Sequence, residues 1–118
     1  MKKIYYLSTC STCTRILKEL SPQKEVVLQD IKEKAITEKQ IDEMKELSGS
    51  YESLFSRRAI KYRSLGLANQ DLKEADYKKY ILQEYTFLKR PVIIVNDEIF
   101  VGNSKKVVAA AKKALEQS

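Results

Sequence analysis

Hydrophobic and polar positions divide this chain into short strands at both ends and a helical middle. Ile4-Tyr5-Tyr6-Leu7 is apolar and β-prone, and predicts a first strand. Ser8 to Thr12 is a polar turn. From there the period changes: Cys13, Ile16, Leu17 and Leu20 fall at offsets 0, 3, 4 and 7, one face of a helix over residues 14–20. Ser21-Pro22 ends it, and Glu25-Val26-Val27-Leu28 predicts a second strand. A strand, a helix and a strand within 30 residues form a βαβ unit, with a right-handed crossover and a parallel pair.

The middle carries helical signals. Thr37 followed by Gln40 is a capping box, with Ile41, Met44 and Leu47 as the inward face of the helix it starts and Gly49 as its end. Residues 50–60 predict a short helix and loop around Leu54 and Phe55. Residues 71–85 predict a further helix with Leu72, Ala75, Ile81, Leu82 and Tyr85 turned inward. β character returns at Val92-Ile93-Ile94-Val95, the most β-prone run of the chain. Asn96-Asp97 is a turn signal and residues 98–101 a return strand, which makes a hairpin. Asn103 or Ser104 can cap a last helix packed through Val107, Val108, Ala111, Ala114 and Leu115.

The order β-α-β, helices, β-β-α predicts an α/β fold of thioredoxin-like layout. A four-stranded mixed sheet flanked by helices is expected, with a helical insertion between the βαβ and ββα halves. The core is expected over residues 1–34 and 86–118 and the insertion over 35–85, within one domain. At 118 residues the chain has length for one domain.

Composition narrows the chemistry. The chain has no His, which excludes His metal ligands and the Ser-His-Asp and Cys-His machineries. Its two Cys cannot complete a four-ligand zinc site, so no metal is expected. Lys plus Arg is 22 against 16 acidic residues. The seven Tyr are scattered and form no stacking platform, so direct nucleic-acid binding is not expected. No apolar run reaches the length of a secretory signal or a membrane span, which points to a cytoplasmic protein without membrane contact. A monomer is the default.

Cys10-Ser11-Thr12-Cys13 is a C-x-x-C where a strand passes into a helix. Unpaired N–H groups and the helix dipole favour an anion there, and the thiolate is the nucleophilic form of Cys. Cys10, at the turn, is the candidate nucleophile. Cys13, within the helix, is the candidate resolving thiol, close enough for a Cys10–Cys13 disulfide. Arg15 can add positive charge. The alternatives are two structural cysteines three apart, or half of a metal site shared between chains. Arg90-Pro91 opens the third strand; in this layout such a Pro is cis and faces the active Cys, while the plain reading is a strand-initial Pro. Residues 56–63 hold four basic residues and no acidic one, either an anion or thiolate clamp or a solvated helix end.

Together these residues resemble the arsenate reductase (ArsC)/Spx family of thioredoxin-like proteins. The resemblance rests on Cys10 to Arg15 including Thr14, on Phe55-Ser56-Arg57-Arg58 with Tyr62 and Leu65-Gly66-Leu67, on Arg90-Pro91-Val92-Ile93, and on Val101-Gly102-Asn103. The family has a Leu seven residues after its active-site Arg. Leu65 stands seven after Arg58, so Arg58 rather than Arg57 matches. Arg90 matches the Arg before the family's cis-Pro. The resemblance implies that Arg58 and Arg90 lower the pKa of Cys10 and hold an oxyanion or a carboxylate. Ser11, Thr12, Thr14, Arg15 and Pro91 would shape the site.

The implied activity is a thiol-dependent reductase acting on an oxyanion or mixed disulfide. It needs no bound cofactor, and glutathione or another thiol, such as glutaredoxin or thioredoxin, is the reductant. Asn103 stands where arsenate reductases of the family have a third Arg, which weighs against arsenate. The alternative is a Spx-type redox regulator that binds RNA polymerase, for which the C-x-x-C is a thiol switch.

Overall fold

A computed structural model describes residues 1–117. In chain order the strands and α-helices are β1 (Lys2–Tyr6), α1 (Ser11–Leu20), β2 (Val27–Asp30), α2 (Glu38–Ser48), α3 (Ile60–Ser64), α4 (Glu74–Gln83), β3 (Val92–Val95), β4 (Glu98–Val101) and α5 (Lys105–Gln117). Three short 3-10 turns lie at Glu52–Leu54, Leu67–Asn69 and Tyr85–Phe87. The chain divides into two compact units, Met1–Ala35 with Arg90–Ser118, and Ile36–Lys89.

The first unit holds a four-stranded sheet in the order β2-β1-β3-β4. β1 pairs with β2 in parallel and with β3 antiparallel, and β3 with β4 antiparallel. This is the mixed sheet expected from the βαβ and ββα order. β2 begins at Val27, two residues later than the strand predicted from Glu25. Val27 and Leu28 are exposed on this edge strand, while Val26 and Gln29 are buried. An edge strand packs on one side only, so hydrophobicity alone misplaces it. Gln29 is tolerated inside because its amide donates to the Lys34 carbonyl at 3.0 Å.

Ile4 pairs with Ile93 across the strands, and the two share a core with Ile16 and Leu20 of α1 and Val108, Ala111 and Leu115 of α5. These helix residues are the ones the 3.6 period selects. β3 is buried at all four positions, as its continuous apolar run requires. Asn96 takes a positive φ of 56° in the hairpin turn. The Ser104 hydroxyl accepts the Val107 N–H at 3.2 Å and so caps α5.

In the second unit, the Thr37 hydroxyl accepts the Gln40 N–H, and the Gln40 side chain accepts the Thr37 N–H, both at 3.1 Å. Ile41 and Met44 are fully buried, and Gly49 closes α2 at φ 98°. Phe55 centres an aromatic cluster, with ring centroids 5.1 Å from Phe87, 4.9 Å from Tyr77 and 6.0 Å from Tyr62. α4 is shorter than its sequence pattern, and its inward face keeps the expected Ile81 but is rotated toward Tyr77. Tyr77 and Ile81 are buried, whereas Ala75 and Leu82 are exposed. Residues 86–89 lie with the helical unit. The Ser56 N–H donates to the Phe87 carbonyl at 2.6 Å, and the Lys89 N–H to the Leu54 carbonyl at 2.8 Å. Among the described residues no helix is long and apolar enough to cross a membrane.

Candidate functional site

β1 delivers the chain to its C-terminal edge at Tyr6, Leu7 is buried, and the next three residues turn. The Cys10 N–H donates to the Leu7 carbonyl at 3.0 Å and closes that turn. Cys10 itself is extended (φ −96°, ψ 113°) and is the N-cap of α1. The helix begins at Ser11, three residues before the helix predicted over 14–20, because polar first-turn residues carry no hydrophobic period. The first helical hydrogen bond runs from the Thr14 N–H to the Cys10 carbonyl at 3.1 Å. The N–H groups of Ser11, Thr12 and Cys13 therefore have no intrahelical acceptor. The Thr14 hydroxyl donates to the Ser11 carbonyl at 3.0 Å and tightens this turn. The Cys10 side chain forms no cap hydrogen bond of ordinary geometry, and the first-turn N–H groups face the place where a thiolate gains from them.

The two thiols are free and unequally placed. Cys10 is partly exposed and Cys13 fully buried. Partial burial pushes the Cys10 thiol up. The N–H of Cys13, the Cys13 side chain, the N–H of Thr12 and the charge of Arg90 together outweigh it, so Cys10 sits below the ordinary thiol value. At Cys13 burial dominates and pushes the thiol up. The backbone of Leu7 opposes this, while the charge and side chain of Cys10 add to it. Of the two, Cys10 is the more exposed and the one whose surroundings favour the thiolate.

Arg90 is half-buried with its Nε inside, and the peptide bond from Arg90 to Pro91 is cis. Pro91 is buried, and its carbonyl accepts the Gly102 N–H at 3.0 Å. Gly102 has φ 99°, a conformation that favours glycine, and Asn103 after it is exposed. Arg15 is also exposed on α1.

The basic run belongs to the other compact unit. Arg57 is committed to that unit's structure: its guanidinium donates to Glu52 at 2.8 Å and to the Tyr77 hydroxyl at 3.0 Å, and lies over the Tyr77 ring. Arg58 differs. It is exposed, and among the described residues its guanidinium makes no hydrogen bond or ion pair. It lines an open pocket of about 660 Å³ with Arg57, Ala59, Ile60, Arg63 and Ser64. The structure therefore brings Cys10, Cys13, Arg90 and Pro91 into one unit and sets Arg58 in the second.

One residue near the Cys10 turn carries no sequence signal of its own. Asp30, at the end of β2, accepts the Ser8 N–H at 3.2 Å. Among the described residues no group of three or more Cys, Asp or Glu could hold a metal.

A family model described as the ArsC family matches residues 5–111. No curated protein sequence matches the chain. Among solved structures, the YFFB protein superimposes with a TM-score of 0.75 at 22% identity, covering 94% of this chain and 98% of its own. An arsenate reductase (ArsC) related protein from Brucella melitensis gives 0.69 at 19% identity, over 92% of each chain. The arsenate reductase from Vibrio cholerae gives 0.71 at 18% identity, over 98% of this chain and 95% of its own. At these identities the structures establish the fold, which is thioredoxin-like, and the family follows from the match over residues 5–111: the chain belongs to the ArsC family.

Proposed function

We propose that this protein is a thiol-dependent oxidoreductase that reduces a mixed disulfide or an oxyanion through Cys10. The observation that carries the reading is the unequal placing of two free thiols three residues apart, Cys10 part-exposed at the N-cap of α1 and Cys13 buried in the helix behind it. Membership of the ArsC family supports it at the level of reaction class. The Cys10 thiolate attacks one sulfur of a substrate disulfide. The substrate S–S bond breaks, a Cys10–substrate disulfide forms, and the other half leaves as a thiolate that takes up a proton. The negative charge at Cys10 is then gone, which removes one of the causes that held Cys13 protonated. Cys13 loses its proton and attacks the Cys10 sulfur. The second thiolate leaves, and the Cys10–Cys13 disulfide holds the oxidation. Two electrons have passed to the substrate, and glutathione or a dithiol protein such as glutaredoxin or thioredoxin returns two.

Arg90 holds the charge of the thiolate, and the resemblance to the ArsC family gives Arg58 the part of binding an anionic substrate. Asn103, lacking a cationic side chain, favours a disulfide over arsenate. Free thiols suit a reducing, cytoplasmic location.

Purified protein assayed with a glutathionylated peptide and with arsenate, each in the presence of glutathione, tests this. Cys10→Ser abolishes turnover, whereas Cys13→Ser still forms the first mixed disulfide, visible by mass. Equal loss of that first step in both variants contradicts the assignment.

The same thiol pair favours a second reading, a Spx-type regulator that binds RNA polymerase in one redox state. By linkage a partner biases a thiol switch only if its affinity differs between the two states. Equal binding of polymerase to reduced and oxidised protein removes this reading.

A further inference from the structure

The turn that carries Cys10 is held from a neighbouring strand as well as by its own helix. Asp30 is the last residue of β2, beside Tyr6 at the end of β1. Its Oδ1 accepts the N–H groups of Ser8 and Lys32, both at 3.2 Å. The Ser8 hydroxyl also favours the charged form of the carboxylate. One residue on, the Ile31 N–H donates to the Tyr6 carbonyl at 2.9 Å, which fixes β2 against the base of the turn. Two tethers therefore span the three residues between Leu7 and Ser11. Ser8 is tied outward to Asp30, and Cys10 is tied back to the Leu7 carbonyl. Burial pushes the Asp30 carboxyl up, but the Ser8 hydroxyl and the N–H groups of Lys32 and Ser8 outweigh it, so the side chain is an anion at neutral pH.

We infer that Asp30 is a positioning residue for the reactive thiol: by holding Ser8 it keeps the Cys10 sulfur against the open N–H groups of Thr12 and Cys13. The inference deepens the reading of Cys10 as nucleophile and rests on it. Its sign separates it from simple electrostatics. A carboxylate's charge, acting alone, disfavours a nearby thiolate, so deleting that charge lowers the Cys10 pKa. Losing the tether does the opposite, because the thiolate then loses the donors that stabilise it.

The test is the pH dependence of iodoacetamide alkylation at Cys10, located by peptide mass, in wild type, Asp30→Ala and Asp30→Asn, with circular dichroism to confirm folding. Asp30→Ala is expected to raise the midpoint by about half a unit and to slow alkylation at neutral pH roughly threefold. Asp30→Asn keeps an oxygen acceptor for Ser8 and loses the charge, so it reacts at least as fast as wild type. If Asp30→Ala does not fold, Asp30→Glu keeps the charge, shifts the carboxylate by one methylene, and is expected to slow Cys10. Unchanged or faster alkylation in Asp30→Ala overturns the inference, as does an Asn variant as slow as the Ala variant. Failure of wild-type Cys10 itself to react at neutral pH removes the underlying reading of the thiol instead.

Discussion

At Cys10 the chemistry depends on where a strand stops and a helix starts. The three N–H groups that follow it have no helical acceptor, and Arg90 adds a full positive charge. Cys13, one turn inward, is surrounded by the core, and there burial outweighs the charge of Arg90. The C-x-x-C spacing and the change of period beside it made this pair visible in the sequence. Asp30 was not visible, because an acidic residue after a strand looks like any other turn residue until its Ser8 contact is seen. The two adjacent arginines are the second test at this scale. Arg57→Ala removes bonds to Glu52 and Tyr77 and lowers stability by about 1 kcal/mol, the ion pair being half-exposed. Arg58→Ala leaves urea unfolding within about 0.5 kcal/mol of wild type. It slows reaction with an anionic disulfide roughly tenfold, the worth of one charge-assisted hydrogen bond. The reverse pattern would assign the functional guanidinium to Arg57.

Elements with local punctuation were read correctly, and those without it were not. α2 announces itself through Thr37, Gln40 and Gly49, and all three act as caps in the structure. The final hairpin and α5 follow from Asn96, Ser104 and the spacing of Val108, Ala111 and Leu115. The N-cap of α4 is Lys73, whose own side chain is no cap, with only Asp76 reaching back to the Lys73 N–H at 2.9 Å, and its inward face joins Tyr77 to Ile81. Counting Leu and Ala positions selected Ala75 and Leu82, which are exposed, and passed over Tyr77. The 3.6 period cannot choose between two half-apolar faces; Phe55 and Phe87, distant in sequence, make that choice. Phe55→Ala empties the centre of this cluster and is expected to cost about 3–5 kcal/mol in urea unfolding. Thr37→Ala, which loses the capping box, is expected to cost about 1 kcal/mol. A Phe55 variant no weaker than the Thr37 variant would show that the aromatic cluster does not organise this unit.

For the whole molecule, the absence of His leaves carboxylates to govern acid stability. The Tyr51 hydroxyl and Lys78 hold the Asp42 carboxyl low, and Lys61 holds Glu84 low. Burial pushes Asp30 up, but its bonds to Ser8 and Lys32 leave it low as well. Each therefore has a folded pKa below its unfolded one, and the unfolded state binds more protons as pH falls. Their stabilisation is complete above about pH 5, begins to fall near the unfolded values and is lost as pH drops through the folded ones. Urea midpoints between about pH 6 and about pH 2 are expected to fall steadily at the acid end. A midpoint that held constant there would mean that these pairs contribute nothing. The two-unit division was legible only in part. The sequence pattern places residues 86–89 with the core, yet backbone bonds to Leu54 and Ser56 join them to the helical unit. Such pairing depends on residues about 30 positions away.

The most direct test of the account is the pH–rate profile of alkylation at each cysteine of the reduced wild-type protein, resolved by peptide mass. The account predicts that Cys10 reacts first, with a midpoint below the ordinary thiol value of about 8.5, and that Cys13 stays protected until higher pH. A Cys10 midpoint at or above that value, or a Cys13 that reacts as fast, would contradict it.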